Sequence, residues 1–439
     1  MRLSKPLSVL LASGSFGGTI AAARLLATSG IKVGILSDGY LRAAAWSRYT
    51  NQSYSTPPES DGPQFIDRLL AIGAADPGQI ILPTSDQISW LYTVNASLLG
   101  AHFRVYQPSV ATMRRILDKK RLSTAASSAG LLTLPSWYPS DLDDVAALAP
   151  TLPYPILIKP RTHVHRLGNN KGLVVRSASE LIHKYKEYVI SEQAPSVESP
   201  LFEGGCKLFL QQFVNTAQEG VHSVSGFIDR TGELFVTRGA VKVFQRSQPV
   251  GVGVCFESRP TDPELSDAVR RFCHELGYFG IFEVEFVRLE GRWAAIDFNP
   301  RLFNQIGMDI RRGMPLPLLA CLDAAGESTA LEEMVARAQA DDWDTPTVFC
   351  DRFSMNAILF AGTMSAKITR KERAYWRAWR RRNKDHTVDF VFDMHDPMPT
   401  VIHTLSEIYL GCKALPRFIR SGPLPFPAAG QAFAKGASS

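Results

Sequence analysis

The sequence lacks long apolar runs and paired cysteines, and each absence argues against a class of protein. No run approaches the roughly 20 apolar residues that a membrane-spanning helix needs, because cations such as Arg24 and Lys32 interrupt the early ones. The six cysteines show no CxxC motif and no paired spacing, which favours reduced thiols in a cytoplasmic protein. The N-terminal apolar run, Leu7 to Ala12, is too short for a secretory signal and predicts a buried strand.

The glycine-rich turn near the N-terminus lacks the spacing of a dinucleotide site. It reads G-x-x-G-G from Gly14 to Gly18, and Phe16 stands where the NAD fingerprint requires its second glycine. The turn is therefore either structural or a small-substrate site at a helix N-terminus. A helix over 19–29, a strand over 32–37 and further strands near 80–82 and 103–106 predict a βαβ-type opening domain.

The net positive charge is confined to one segment. The net charge is +6, but residues 367–384 hold nine Lys or Arg and one Glu, so this segment carries +8 and the remainder about −2. The main body is therefore not a general nucleic-acid binder. The basic segment also carries Tyr375, Trp376 and Trp379. It could contact an anionic membrane surface or RNA weakly, or it could be a solvated helix whose tryptophans pack on the core.

What is present is a strongly patterned hairpin over residues 280–301. Apolar residues alternate with Glu283 and Glu285, and after a turn near Gly291 the same alternation presents Asp297 and Asn299. A hairpin symmetrical about Gly291 places Glu285 opposite Asp297 and Glu283 opposite Asn299.

Two carboxylates facing each other across a ladder repel, so this hairpin should hold a positive partner. Carboxylate and amide oxygens are the ligands that Mg²⁺ prefers, together with water and phosphate. The alternative is an exposed acidic face of a sheet. Arg301, immediately after the hairpin, suits a phosphate or carboxylate.

Two lysines stand where elements begin or end. Lys119 opens a helical stretch after Asp118, and Lys159 ends an apolar strand over 155–160, a position from which its charged head could reach a phosphate. The polar loop 161–172 could close over phosphates as a lid.

Two further loops offer charged side chains with alternative roles. Asp86 could orient a substrate or cap the next helix, and Arg48 could be a site residue or an ordinary surface arginine. Lys242 and Arg246 precede two glycines at 251 and 253, which suits an anionic substrate or an exposed, twisted edge strand.

Together these residues resemble the ATP-grasp ligases over roughly residues 7–325. The strongest match is I-D-F-N-P-R at 296–301, twelve residues after the Glu285 carboxylate, where the family has an E-x-N-P-R run. The D-K start at 118–119 and the I-x-K-P strand around Lys159 also match. Within the superfamily the chain is most similar to predicted carboligases related to D-aspartate ligase and to the ATP-grasp half of carbamoyl phosphate synthase.

The resemblance implies roles for individual residues. Metal ligands would be Glu285, Asp297 and Asn299, and catalytic or substrate residues would be Arg301, Arg246 and Lys242. Nucleotide-binding residues would be Lys119, Lys159, Gly168, Gly172, Gln211, Gln212, Val214 and Glu219. Asp297 departs from the usual glutamate, the lid is poorer in glycine than is usual, and the glutamate common beside Gln211 and Gln212 is absent.

The implied fold is α/β, of the α+β ATP-grasp type. It comprises a Rossmann-like domain (1–117), a small lid subdomain (118–208), a large metal-site subdomain with antiparallel sheet (209–328) and a basic helical extension with a disordered end (329–439). The implied activity is ATP- and Mg²⁺-dependent joining of a small carboxylate to an amine, with Mn²⁺ as an alternative metal. A carboxylase that activates bicarbonate, and a nucleotide-binding module recruited to a membrane or polyanion, are the alternatives. A cytoplasmic protein and a homodimer are also expected.

Overall fold

The computed structural model describes residues 5–12, 17–164, 172–191, 208–216, 220–246, 250–340, 346–366 and 368–420. Its strands form three sheets of five, four and eight strands. In the described part, no helix has the length and apolar character to cross a membrane.

The N-terminal sheet is parallel, in the order β3-β2-β1-β4-β5. Its strands are β1 (Ser8–Leu11), β2 (Lys32–Ser37), β3 (Gln52–Ser55), β4 (Ile80–Leu82) and β5 (Arg104–Val105). Its helices are α1 (Gly17–Thr28), α2 (Gly62–Ala75), α3 (Asp86–Val94), α4 (Ala96–Leu99) and α5 (Val110–Leu117), with a 3-10 turn at Ala43–Trp46. Val9 and Leu11 pack in one apolar cluster and Leu10 in another, so both faces of the sheet are covered. The predicted βαβ opening is confirmed.

A small antiparallel sheet follows, in the order β7-β10-β8-β9. The strands of this region are β6 (Leu132–Thr133), β7 (Ser136–Trp137), β8 (Ile156–Pro160), β9 (Leu173–Val175) and β10 (Leu208–Gln212). Its helices are α6 (Lys119–Ser128), α7 (Leu142–Leu148) and α8 (Ala178–Ser191), with a 3-10 turn at Ala149–Thr151. Sheet pairing groups β10 with this small sheet, whereas β6 joins the edge of the large one.

The large sheet runs in the order β17-β16-β13-β12-β11-β14-β15-β6. Its remaining strands are β11 (Val221–Ile228), β12 (Phe235–Arg246), β13 (Val252–Arg259), β14 (Gly280–Leu289), β15 (Arg292–Asn299), β16 (Val348–Cys350) and β17 (Thr387–Asp389). The remaining helices are α9 (Pro263–Leu276), α10 (Ile306–Arg311), α11 (Leu316–Ala325), α12 (Ser328–Ala340), α13 (Arg352–Met364), α14 (Arg370–Arg382) and α15 (Met398–Arg420), with a 3-10 turn at Lys384–His386. A hairpin joins β11 to β12, and Asp229 closes its turn by accepting from the Leu234 N–H at 2.8 Å.

The C-terminal extension packs against the rest of the molecule. The Phe390 ring stacks on Phe256 of β13 with centroids 6.1 Å apart, inside the cluster that also holds strands of the parallel sheet. Trp376 and Trp379 of the basic helix are only 3% and 4% exposed. Of the two alternatives for this helix, the structure supports a solvated basic face whose tryptophans pack on the core.

The cysteines differ from the prediction at one pair. Cys255 and Cys350 stand directly opposite each other on β13 and β16, with Cα atoms 4.2 Å apart, and form a disulfide. Residues 95 positions apart in the chain cannot be paired from spacing, so the prediction of six reduced thiols is wrong here. Cys273, Cys321 and Cys412 are free.

A buried histidine-carboxylate pair ties α15 to α13 and predicts a pH effect. His403 Nε2 lies 3.1 Å from Asp351 Oδ2. Burial lowers the pKa of His403, but the bond to Asp351 and its charge outweigh burial and leave the pKa above 6.5. The pair therefore stabilises the fold fully below about pH 6.5, and its contribution is lost as pH rises through the folded-state pKa.

His403→Gln should cost about 1 kcal/mol of unfolding free energy near pH 6 and less near pH 9. Urea unfolding at both pH values measures the difference. His386→Gln, at an exposed histidine of the same extension, is the control. A His403→Gln effect that is equal at both pH values would contradict a charged pair.

Candidate active site

The site is built on the hairpin of β14 and β15, whose predicted register is confirmed. Glu285 pairs with Asp297 and Glu283 with Asn299. A tight turn at Glu290-Gly291, with φ of 50° and 79°, joins the two strands. If the strands paired regularly from this turn onward, Glu285 and Asp297 would miss each other by one residue. A bulge between Glu285 and Phe286 adds the one residue that brings them opposite each other. The bulge therefore sets the two carboxylates directly across from each other.

Two buried lysines neutralise this carboxylate pair, as the sequence requires. Lys242, from β12, donates to Glu285 Oε1 at 2.8 Å, and Lys119, at the start of α6, binds Asp297 Oδ1. All four side chains are less than one-fifth exposed. Burial raises the pKa of Asp297, but the Lys119 charge outweighs it and the pKa lies well below its usual range. Likewise, burial lowers the pKa of Lys242 but the Glu285 charge raises it, with a net increase.

Glu283 is a buried carboxylate that contacts the site through Asn299. It accepts from Asn299 Nδ2 at 3.0 Å and from Gln305 Nε2, and it is 4% exposed. Burial, together with the neighbouring Glu285 charge, raises the pKa of Glu283 to about 7. Because its oxygens are engaged by amides, Glu283 fixes the orientation of Asn299.

Arg301 is held by the parallel-sheet domain. Its Nε donates to Asp86 Oδ1 at 2.6 Å, and its Nη2 donates to Asn299 Oδ1 at 2.9 Å. The Ser85 side chain caps α3 by accepting from the Ile88 N–H, so the capping role considered for Asp86 is wrong. Burial raises the pKa of Asp86, but the Arg301 charge lowers it and prevails. Asp86 is thus a positioning residue for Arg301.

The small sheet contributes a second group of predicted residues. Lys159 Nζ donates to Gln211 Oε1 at 3.4 Å, and Gln211 Nε2 donates to Ser136 Oγ at 3.2 Å. Beside them the Tyr138 ring stacks on Phe209 with centroids 5.4 Å apart.

A small cavity joins this group to the hairpin. It measures about 20 Å³ and is lined by Lys119, Tyr138, Phe209 and Gln211 on one side and by Asp297 on the other. Of the predicted residues, Lys119, Gln211 and Asp297 therefore line one cavity between the small and large sheets, and Lys159 adjoins it through its bond to Gln211.

A buried ion pair positions both lysines of the cleft. Asp118 is fully buried, accepts two bonds of 2.7 Å from Arg161, and caps α6 by accepting from the Lys120 N–H. The Lys119 N–H also donates to the Arg161 carbonyl at 3.0 Å. The start of α6, which carries Lys119, is thereby fastened to the end of β8, which carries Lys159.

Comparison with solved structures identifies this architecture. The biotin carboxylase domain of Hydrogenobacter thermophilus 2-oxoglutarate carboxylase, solved with MgADP, ADP and bicarbonate, matches with a TM-score of 0.58 and 17% identity over 73% of this chain and 70% of that one. Biotin carboxylase from Campylobacter jejuni matches at 0.56 and 18% over 73% and 71%. The Staphylococcus aureus N5-carboxyaminoimidazole synthetase matches at 0.53 and 14% over 73% and 78%. The chain has the ATP-grasp fold. No family model matches the sequence, and no curated protein is significantly similar to it.

Some residues predicted for this ATP-grasp site lie elsewhere. Arg246 binds Ser354 Oγ at 2.9 Å and Glu407, both in the C-terminal extension, and so does not join the carboxylates. Gly168 and Glu219 lie outside the described residues. Gly172, with φ of 155°, approaches the cleft closely, since a Cβ there would stand 3.2 Å from Lys159 Cγ.

The remaining predicted nucleotide-side residues flank β10. Gln212 ends β10, and its N–H donates to the Pro135 carbonyl at 2.9 Å. Val214 packs in a small apolar cluster with Leu134 and Val287 beside the hairpin.

The sequence alone does not predict several residues of the candidate site. Tyr138, directly after β7, stacks on Phe209 of β10, and no local pattern marks an aromatic pair. The sequence places Arg161 only in the predicted lid loop, whereas in the structure Arg161 forms an ion pair with Asp118. The Asp86–Arg301 pair spans 215 residues, a separation that only the fold reveals.

The carboxylate pair suits a hard divalent cation with outside help. Among the described residues, no three His, Cys, Asp or Glu side chains are placed to hold a metal by themselves. Glu285, Asp297 and the Asn299 amide nevertheless present oxygen ligands from adjacent strands. Mg²⁺ commonly takes one or two carboxylates and completes its shell with water and phosphate. The donor set therefore fits a Mg²⁺ that arrives with a nucleotide.

Proposed function

We propose that the protein is a Mg²⁺- and ATP-dependent ligase that joins a small carboxylic or amino acid to an amine. The observation that carries the proposal is the facing pair Glu285–Asp297, whose Asp297 lines one cavity with Lys119 and with Gln211, the partner of Lys159. The matching structures support it, because they include ones solved with MgADP or ATP and one of a synthetase. Substrates are proposed to be small molecules.

In this proposal each residue has a distinct role. Glu285, Asp297 and Asn299 would hold Mg²⁺, which supplies charge neutralisation across the phosphates when bound. Lys119 and Lys159 would offset charge on the transferred phosphoryl group, and Arg301, fixed by Asp86, would hold the acyl substrate or the phosphate. Lys242 would hold the Glu285 carboxylate in place through its hydrogen bond to Oε1. The carboxylate is activated as an acyl phosphate, which the amine then attacks with release of phosphate.

Hydroxylamine trapping tests this function. Incubation with ATP, Mg²⁺, hydroxylamine and a panel of small acids and amino acids should yield a hydroxamate with at least one acid, together with ADP. An Asp297→Asn protein in parallel measures background hydrolysis. If no acid in a broad panel yields hydroxamate or stimulates ADP release, ligase activity is contradicted.

A second candidate is activation of bicarbonate to carboxyphosphate. One matching structure contains bicarbonate beside ADP, and that observation alone favours it. Release of ADP that depends on bicarbonate and needs no other acid would select this reaction over the ligase. The homodimer stays a proposal, which sedimentation velocity of the full chain would test.

A further inference from the structure

A large basic cavity lies in the C-terminal extension. It measures about 410 Å³, within the roughly 300–1,000 Å³ range of small-molecule sites. Five cations line it, namely Arg352 of α13, Arg377, Arg380 and Arg381 of α14, and Lys384. Among the described residues that line it, none is acidic.

Most of this charge is uncompensated. Arg352 lies 4.0 Å from Asp389, and Arg380 binds the neutral Asn356. Within the described residues, Arg377, Arg381 and Lys384 form no ion pair. Four cations thus remain without a carboxylate around one cavity. Like charges crowded together repel, and an anion in the cavity would remove that repulsion.

Four of the five cations share one helix face. Arg377, Arg380, Arg381 and Lys384 recur at intervals of three, one and three residues, which places them on one face of α14 and its continuation. The opposing wall is the first turns of α13, which carry Arg352 and Asn356. The side chains of both walls therefore present hydrogen-bond donors and positive charge to the same cavity.

We propose that this cavity binds a small polyphosphate, a molecule with at least two phosphate groups. Four of the five cations are arginines, whose planar forks pair with phosphate oxygens through two bonds at once. A membrane surface or RNA fits less well, because Trp376 and Trp379 are buried in the core and cannot insert into lipid or stack on bases.

The cavity is separate from the proposed ligase site. It adjoins β16 and β17, whereas the carboxylates lie on β14 and β15, and four inter-strand steps separate β16 from β14. At about 4.8 Å per step this is roughly 19 Å. The inference therefore does not rest on the proposed function.

Calorimetric titration of the full chain with tripolyphosphate tests the site. The variant Arg377→Gln, Arg381→Gln, Lys384→Gln removes three unpaired charges from the cavity. Its control, Arg370→Gln, Lys371→Gln, Arg373→Gln, removes three exposed charges from the first turn of the same helix. We expect the wild type and the control to bind alike and the cavity variant to bind at least tenfold more weakly.

Three results would overturn the proposal. They are absence of tripolyphosphate binding to the wild type, equal weakening in both variants, and cavity-dependent binding to phosphatidylserine vesicles or an RNA oligonucleotide without tripolyphosphate binding. Thermal unfolding checks that each variant folds. If the triple variant is unstable, Arg381→Gln alone repeats the comparison, because it breaks no contact among the described residues.

Discussion

Replacing Asp297 by asparagine is expected to reduce ATP-dependent turnover at least ~1,000-fold, about 4 kcal/mol of transition-state stabilisation. Asp297 faces Glu285 across the ladder and binds Lys119, so it connects the pair proposed to bind the metal to a lysine proposed to bind phosphate. Asparagine keeps the volume and one acceptor but removes the charge. Initial rates of ADP release at saturating Mg²⁺ measure the loss.

The fold should survive this change. The substitution removes one charged hydrogen-bond partner from Lys119, at a cost of about 1–3 kcal/mol of unfolding free energy. Glu290→Gln, at the exposed turn of the same hairpin, should leave both activity and stability unchanged. If Asp297→Asn keeps wild-type ADP release with an acid substrate, Asp297 is not part of the active site and the metal assignment fails.

The sequence predicted contacts between residues that are close in the chain better than contacts between residues that are far apart. The carboxylate register followed from the alternation of side chains along two adjacent strands. The symmetry used to derive it was centred on Gly291, whereas the turn is centred between Glu290 and Gly291 and the bulge adds the missing residue. A bulge leaves no mark in a period-two pattern, so it could not be seen in the sequence.

The sequence predicted that cations lie beside the two facing carboxylates, but not which residues supply them. In the structure these cations are Lys242, which pairs with Glu285, and Lys119, which pairs with Asp297. Nothing local distinguishes Lys242 from Arg246, four residues later, which turns instead to Glu407. A β-bulge in β12 between Lys242 and Gln245 interrupts the alternation of side chains between the two faces of the sheet. The carboxylate that each cation binds comes from an element distant in the chain, Glu285 for Lys242 and Glu407 for Arg246.

The extension was the least predictable part, and Asp396 shows why. The sequence marks only an Asp-Pro turn at this position. In the structure the Asp396 side chain is 1% exposed. Its carboxylate accepts from Arg24 Nε at 2.9 Å, Ser47 Oγ at 2.7 Å and the Arg48 N–H at 2.9 Å. These three donors come from the parallel-sheet domain, about 350 residues earlier in the chain, so one carboxylate joins the two ends of the protein.

Asp396→Ala is therefore expected to destabilise the protein by about 3–5 kcal/mol, since it leaves the partly buried Arg24 cation unpaired. The substitution should release the segment around α15 first, because its attachment to the N-terminal domain depends on this carboxylate. Urea unfolding measures the first effect, and limited proteolysis with mass analysis of the fragments locates the second. Asp385→Ala, at an exposed aspartate of the same extension, removes an equal charge without these bonds and should change neither. Equal unfolding free energies for the two variants would show that the C-terminal extension is held by its apolar contacts, such as Phe390 on Phe256, rather than by this buried ion pair.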